Sequence, residues 1–129
     1  MPIDATEFDE YLHFANELAD AAAGAILPHF RATGSARNKS AHGFDPVTAA
    51  DRGAERVMRA LIRARYPTHG ILGEEEGAEE GQGAGGAGLT WVLDPIDGTK
   101  AFLLGLPLWG TLIALNDGTR PVLGVMNQP

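Results

Sequence analysis

The periodicity of apolar residues changes partway along the chain, and this change limits the folds that the chain can adopt. In two early segments, 8–26 and 48–66, apolar residues recur at three- and four-residue steps, which is the spacing of amphipathic helices. Shorter apolar segments follow at 71–73, 89–93, 109–115 and 122–126. Helices first and strands later predict an α+β fold, in which two long helices pack on one face of a mainly antiparallel sheet.

Local signals refine this prediction. Thr6 and Asp9 have the spacing of a capping box at the start of the first helix, and Pro67 ends the second helix. The residues between the last two strands, 116–119, contain an Asp-Gly pair, which favours a hairpin. Residues 34–47 and 77–88 are polar or Gly-rich, so we expect loops there.

Length, charge and composition exclude several classes of protein. The 129 residues correspond to one domain, and 44% hydrophobic residues suffice for an ordinary core. The absence of cysteine excludes disulfides and thiolate metal sites, and the net charge of −7 argues against a nucleic-acid partner. The N-terminus does not resemble a signal peptide, and no apolar run is long enough to span a bilayer. We therefore predict a cytoplasmic protein with no membrane partner.

Carboxylates follow two of the predicted strands. Glu74 comes directly after 71–73, whereas Asp94 and Asp97 come after 89–93. Converging carboxylates repel one another unless a cation neutralises them, and oxygen ligands without His or Cys select Mg²⁺. The next residues, from Gly98 to Phe102, can begin a helix whose free N–H groups hold a phosphate.

Simpler structural interpretations compete with this one. Glu74–Glu76 can be a solvated run of charge, and the Asp-Pro and Asp-Gly pairs after the strand can be ordinary turns. Asp51 lies three residues after Thr48 and can cap the second helix. Residues 81–86 spell a dinucleotide-binding motif, but they precede a strand rather than a helix, which favours a surface loop.

Three motifs together resemble the inositol monophosphatase superfamily of Mg²⁺-dependent phosphomonoesterases. They are DPVTAAD at 45–51, ILGEE at 71–75 and WVLDPIDGT at 91–99. The resemblance implies Mg²⁺ as the cofactor. The metal ligands that it implies are the side chains of Glu74, Asp94 and Asp97 and the backbone carbonyl of Ile96.

The same resemblance implies roles in catalysis and in substrate binding. Asp51 and Thr99 orient and deprotonate the attacking water, and Glu74 joins them as a catalytic residue. The amides of Gly98 and Thr99 hold the substrate phosphate. The resemblance implies that Glu75 lies next to the metal ligands and holds them in position without binding metal itself. It assigns no role to Glu76, and the role of Lys39 stays open.

The resemblance covers residues 1–129 as the N-terminal, metal-binding part of a longer domain. The family's later W-D-x-A-A-G-like motif does not occur here, so we expect the C-terminal half, with a further metal-binding aspartate and much of the substrate pocket, to be absent. Segments 105–115 and 122–129 resemble the histidinol-phosphatase branch. The predicted reaction is therefore hydrolysis of histidinol phosphate, a small phosphorylated metabolite, by a full-length homodimer. The alternatives are an inositol-phosphate or related sugar phosphatase and a truncated, non-catalytic half-domain.

Overall fold

Two long helices lie on one face of a five-stranded sheet in the computed structural model, which describes residues 3–32, 46–81 and 88–129. The helices are α1 (Ala5–Ile26), α2 (Pro46–Arg65) and the short α3 (Thr99–Leu103), and a 3₁₀ turn (Leu27–His29) follows α1. The strands are β1 (Gly70–Gly73), β2 (Gly77–Glu79), β3 (Thr90–Asp97), β4 (Gly110–Asn116) and β5 (Pro121–Asn127). The predicted α+β class, with two long helices on a mainly antiparallel sheet, is confirmed.

The order of strands in the sheet is β2-β1-β3-β4-β5. Neighbouring strands are antiparallel except for β1 and β3, which run parallel with Ile71 opposite Trp91. Because the carboxyl ends of parallel strands lie at the same edge of a sheet, the turn after β1 comes close to the end of β3. This pairing brings the two acidic segments of the sequence together.

Alternate side chains of the central strands fill the core beneath the helices. The sheet contributes Trp91, Leu93, Ile113, Leu115 and Leu123, and the helices contribute Phe14, Leu18, Ile26, Met58 and Ile62. Trp91 packs edge-on against Phe14, with ring centroids 5.5 Å apart, and its Nε1 donates a hydrogen bond to Nδ1 of buried His69 at 3.1 Å. Each large apolar side chain buried here contributes about 1.5–3 kcal/mol, so β3 is held firmly against both helices.

The opposite face of the sheet is apolar and open. Leu72 is 46% exposed and Met126 is 77% exposed. A groove of about 490 Å³ runs across this face, lined by Val92, Asp94, Leu112, Ile113, Ala114, Gly124, Val125 and Met126. Asp94 is the one acidic residue of this lining, so the groove leads to the acidic end of β3.

Two predictions about helix starts are wrong. The capping box of α1 is formed by Asp4 and Glu7 rather than by Thr6 and Asp9: the Glu7 N–H donates to Oδ1 of Asp4 at 2.8 Å, and the Asp4 N–H donates to Oε1 of Glu7 at 3.1 Å. Helix α2 begins at Pro46, since Pro is well suited to the first helical position. Asp51 therefore lies in the second turn of α2, and the interpretation of Asp51 as its cap is wrong.

Two strand predictions also need correction. The region 77–88, predicted as a loop, contains β2, which pairs with β1 through a tight turn at Gly77, whose φ is 73°. Strand β3 does not end before Asp94 but continues to Asp97. Lys39, Asp45 and most of the Gly-rich 81–86 motif lie outside the described residues. Within the described ranges, every helix is too short or too polar to cross a bilayer.

Candidate active site

An irregularity in β3 places Asp94 and Asp97 on the same face of the sheet. Asp94 lies opposite Leu112 and Asp97 lies opposite Gly110, so three steps along β3 match two steps along β4. In a regular strand, an odd separation would direct the two side chains to opposite faces. The extra residue, a β-bulge, therefore gives the two carboxylates a common side.

The bulge falls at Pro95 and Ile96, where the ladder with β4 shifts register. Proline has no N–H to donate to a neighbouring strand, so it is tolerated at such a break. The buried hydroxyl of Thr111 on β4 donates to the Pro95 carbonyl at 2.8 Å. This side-chain bond replaces a missing ladder bond and holds the bulge in place.

Glu74 reaches Asp94 from the turn that follows β1. Burial, the adjacent carboxyl group of Glu74 and the charge of Asp97 raise the pKa of Asp94 to about 6. Oδ1 of Asp94 is buried and has no hydrogen-bond partner within the described part of the chain. A buried carboxylate oxygen without a partner is rare in proteins, and it is a ready ligand for a cation.

Asp51 approaches the same point from α2. It is 7% exposed, and it accepts a hydrogen bond from the Ile96 N–H, which lowers its pKa. Burial and the charges of Glu75, Asp94 and Glu74 outweigh this bond and raise the pKa of Asp51 to about 7. A carboxylate with a pKa near neutrality can take up a proton during a reaction at physiological pH.

The chemistry of these residues fits a hard divalent cation. All the donors are carboxylate or carbonyl oxygens, which Mg²⁺ prefers, and mutual repulsion of the carboxylates is relieved when a cation binds. No group of three or more His, Cys, Asp or Glu side chains in residues 3–32, 46–81 and 88–129 already has the spacing of an assembled metal site. The carboxylates thus converge on one region without closing around a single point.

Gly98 and Thr99 form the start of α3 directly after β3. Gly98 precedes the helix with φ 95°, and a Cβ there would lie 2.8 Å from the Leu108 carbonyl oxygen, so no other residue fits without strain. The first N–H groups of a helix have no partner within it, and those of α3 lie next to Asp97. This is the segment that the sequence predicts to bind phosphate, and that role stays a prediction.

Two buried charges behind the acidic turn were missed in the sequence. Glu55 is 0% exposed and Arg59 is 1% exposed, and Nε of Arg59 donates to Oε2 of Glu55 at 3.0 Å. The available signal was their spacing, because opposite charges four residues apart form pairs on a helix. Glu55 also lies four residues after Asp51, on the same side of α2 as the acidic site.

Comparison with known proteins identifies the family. The profile described as "Inositol monophosphatase family" matches residues 7–129. The chain belongs to this family. It is 43% identical over 127 residues to the bifunctional phosphatase IMPL2, chloroplastic, of Arabidopsis thaliana, covering 96% of this chain and 35% of that protein. It is 41% identical over 118 residues to a histidinol-phosphatase of Chlorobaculum parvum, covering 92% of this chain and 44% of that protein.

A solved structure agrees with this assignment. An inositol monophosphatase from Zymomonas mobilis shares 44% sequence identity with this family member at a TM-score of 0.72, covering 98% of this chain and 46% of that one. The predicted resemblance to the family is therefore confirmed, as is the inositol monophosphatase fold. The chain spans less than half the length of each of these relatives.

Proposed function

We propose that this chain supplies the metal-binding part of a Mg²⁺-dependent phosphatase that hydrolyses a small phosphate monoester. The observation that carries the proposal is the unpartnered, buried oxygen of Asp94 beside Glu74 and Asp97. Those three side chains, with the Ile96 carbonyl, would hold Mg²⁺. The bound ion would polarise the phosphoryl oxygens and lower the pKa of the attacking water.

The remaining residues of the site act on water and substrate. Asp51, with its pKa near 7, accepts the proton of the attacking water as general base. The Thr99 hydroxyl orients that water, and the amides of Gly98 and Thr99 at the start of α3 bind the phosphate. Water attacks phosphorus directly as the ester P–O bond breaks, and the leaving alcohol takes up a proton, so inorganic phosphate and the alcohol are released. No covalent enzyme intermediate forms, and catalysis comes from positioning and charge stabilisation.

Histidinol phosphate is the substrate that we propose. The names of two relatives, the histidinol-phosphatases of Chlorobaculum parvum and Streptomyces coelicolor, support this choice. The alternative is an inositol phosphate or a related sugar phosphate, which the name of the Zymomonas mobilis structure favours. We also propose that the active form is a cytoplasmic homodimer of a full-length protein.

The experiment that tests the reaction compares two substrates, with and without Mg²⁺, in a form of the protein extended to the length of its relatives. We expect turnover of histidinol phosphate to require Mg²⁺ and to stop in EDTA. Asp97→Asn removes one metal ligand and should lower kcat/KM by orders of magnitude, whereas Asp117→Asn, in the exposed hairpin, should leave it unchanged. Turnover that survives EDTA would refute the metal mechanism, and a preference for inositol monophosphate would refute the substrate.

The 129-residue chain by itself should show little of this activity. Mg²⁺ requires near-octahedral geometry, so a site with fewer ligands binds it weakly. The open apolar face, with exposed Leu72 and Met126, should also promote self-association. Sedimentation and Mg²⁺ titration of the short and extended chains test both points. A monomeric short chain with the turnover of the extended one would contradict the proposal that it is a half-domain.

A further inference from the structure

Helix α2 carries a buried ion pair directly beneath the turn between β1 and β2. Glu55 is 0% exposed, and Arg59, at 1% exposed, donates to it at 3.0 Å. Arg59 also donates to Oε1 of Glu79 at 3.2 Å and to the carbonyl of Gly77. Buried charges lose their hydration and remain favourable only when they are fully hydrogen-bonded.

Both oxygens of Glu55 accept hydrogen bonds from the backbone of this turn. The Glu75 N–H donates to Oε1 at 3.0 Å, and the Glu76 N–H donates to Oε2 at 2.9 Å. Together with the bond from Arg59, the carboxylate accepts three bonds, and bonds to a charged acceptor are stronger than neutral ones. Glu55 therefore fixes the backbone immediately after Glu74.

The backbone immediately before Glu74 is fixed by close packing against the same carboxylate. A Cβ built on Gly73 would lie 2.4 Å from Cδ of Glu55 and 2.5 Å from each of its oxygens. Any side chain at residue 73 would therefore displace Glu55 or the strand. The buried carboxylate of Glu55 therefore contacts the backbone on both sides of Glu74, at Gly73 and at Glu75.

Two exposed arginines of α2 form ion pairs with Glu75 and Glu76, the two glutamates that follow Glu74. Nε of Arg52 lies 3.7 Å from Oε1 of Glu75, and Nε of Arg56 lies 3.4 Å from Oε2 of Glu76. Glu74 instead lies next to the carboxyl group of Asp94, whose pKa it raises. The three consecutive glutamates thus have different partners, and the one directed at the acidic site is the one held on both sides by Glu55.

We propose that Glu55 is a positioning residue for the metal centre. By holding the amides of Glu75 and Glu76 against Gly73, it aims the Glu74 carboxylate at Asp94, although it touches neither metal nor substrate itself. This role rests on the proposed function, in which Glu74 binds Mg²⁺. Residues that orient metal ligands in this way alter metal affinity about 10–100-fold when they are replaced.

Glu55→Gln tests the proposal, because glutamine keeps the size of the side chain but replaces one acceptor oxygen by an NH₂ group. That group would face an N–H donor, so one amide of the turn loses its bond. The Kd for Mg²⁺ is measured by calorimetry of the protein extended to the length of its relatives, well below its melting temperature. We expect Glu55→Gln to raise this Kd about 10–100-fold. Excess Mg²⁺ should then restore the wild-type near-UV spectrum. The backbone amides of Glu75 and Glu76 should also exchange hydrogen faster in the metal-free variant.

Glu79→Gln is the matched control, since Glu79 bonds Arg59 and Arg63 but no amide of the turn. It should lower the melting temperature and leave Mg²⁺ affinity unchanged. If Glu55 had only a structural role, Glu55→Gln would likewise lower the melting temperature and leave Mg²⁺ affinity unchanged. If Glu55→Gln does not fold, Gly73→Ala carries the test, because it displaces the carboxylate while keeping its charge, and it should weaken Mg²⁺ binding similarly.

The outcomes separate this role from the proposed function. A wild-type chain that binds no Mg²⁺ would overturn the metal site and the positioning role with it. A wild-type chain that binds Mg²⁺, beside folded Glu55→Gln or Gly73→Ala variants that bind it equally well, would overturn the positioning role alone. Weakened binding in those variants, with unchanged binding in Glu79→Gln, supports the role.

Discussion

Replacing Asp51 by asparagine should make the metal-free protein more stable, although it removes the proposed general base. Asp51 is 7% exposed and lies among Glu74, Glu75 and Asp94. Burial and these charges disfavour its ionised form, so its pKa rises from 3.8 to about 7. Asparagine keeps an oxygen that can accept the Ile96 N–H and carries no charge. The substitution therefore relieves the repulsion without losing the hydrogen bond.

The direction of the pH dependence follows from the raised pKa. Between pH 3.8 and about 7, the folded state holds a proton on Asp51 that the unfolded chain has released, so the free energy of unfolding falls as pH rises. Above that window the loss is complete. At ~1.4 kcal/mol per pH unit the upper limit is about 4 kcal/mol. Because Asp94 shares the repulsion, we expect about 2 kcal/mol for Asp51→Asn at pH 8.

Urea unfolding in EDTA, from pH 4 to pH 8, measures this effect. The wild-type protein should lose stability across the range, and Asp51→Asn should flatten the slope. The partly exposed Asp117 is the matched control: bonds from the Arg120 and Thr119 N–H groups lower its pKa, so its contribution to stability is lost as pH falls. Asp117→Asn should therefore slightly destabilise the protein at pH 8. An Asp51→Asn protein that is less stable than the wild type at pH 8 would refute the electrostatic reasoning.

Three further changes have defined outcomes. Gly98→Ala forces a side chain onto a residue with φ 95° and into a backbone carbonyl at 2.8 Å, so thermal unfolding should show a loss of about 1–3 kcal/mol; an unchanged melting temperature would contradict this. Burial lowers the pKa of His69 below 6.5, so at acid pH the unfolded chain binds a proton at this residue that the folded state does not. Stability to urea should therefore fall as pH drops below about 6.5, and His69→Asn should not show this decrease. Leu18→Ala, at a fully buried position of α1, should cost about 2–5 kcal/mol by urea unfolding, whereas Leu104→Ala, which is 72% exposed, should cost under about 0.5 kcal/mol.

The sequence predicted those parts of the fold that local patterns determine. Apolar spacing indicated both long helices, and the Asp-Gly pair at Asp117 and Gly118 indicated the hairpin between β4 and β5. Strand β2 was missed because three residues in a Gly- and Glu-rich segment carry no strand signal. It forms through its pairing with β1 and through the bonds of Glu79 to Arg59 and Arg63.

The sequence indicated which residues to consider for the candidate site, but not how the fold brings them together. Motif resemblance gave Asp51, Glu74, Asp94 and Asp97, and the structure brings the side chains of these residues toward one region. The bulge that gives Asp94 and Asp97 a common face depends on a bond from Thr111, which is 16 residues from Pro95 in the chain. Glu55 was missed for the same reason, since the amides that it binds lie 20 and 21 residues away.

Pairing of β1 with β3 determines when the acidic site can form during folding. Strands β4 and β5 are joined by a short hairpin, which closes quickly. Strand β3 pairs on both sides with distant parts of the chain, because Leu93 lies opposite Gly73 and opposite Ile113, each 20 residues away, and closing such loops costs more entropy. Glu74 comes close to Asp94 only when β1 joins β3, so the repulsion between these two carboxylates opposes that step. A divalent cation in the refolding buffer should therefore speed the pairing of β1 with β3 and leave the β4–β5 hairpin unaffected.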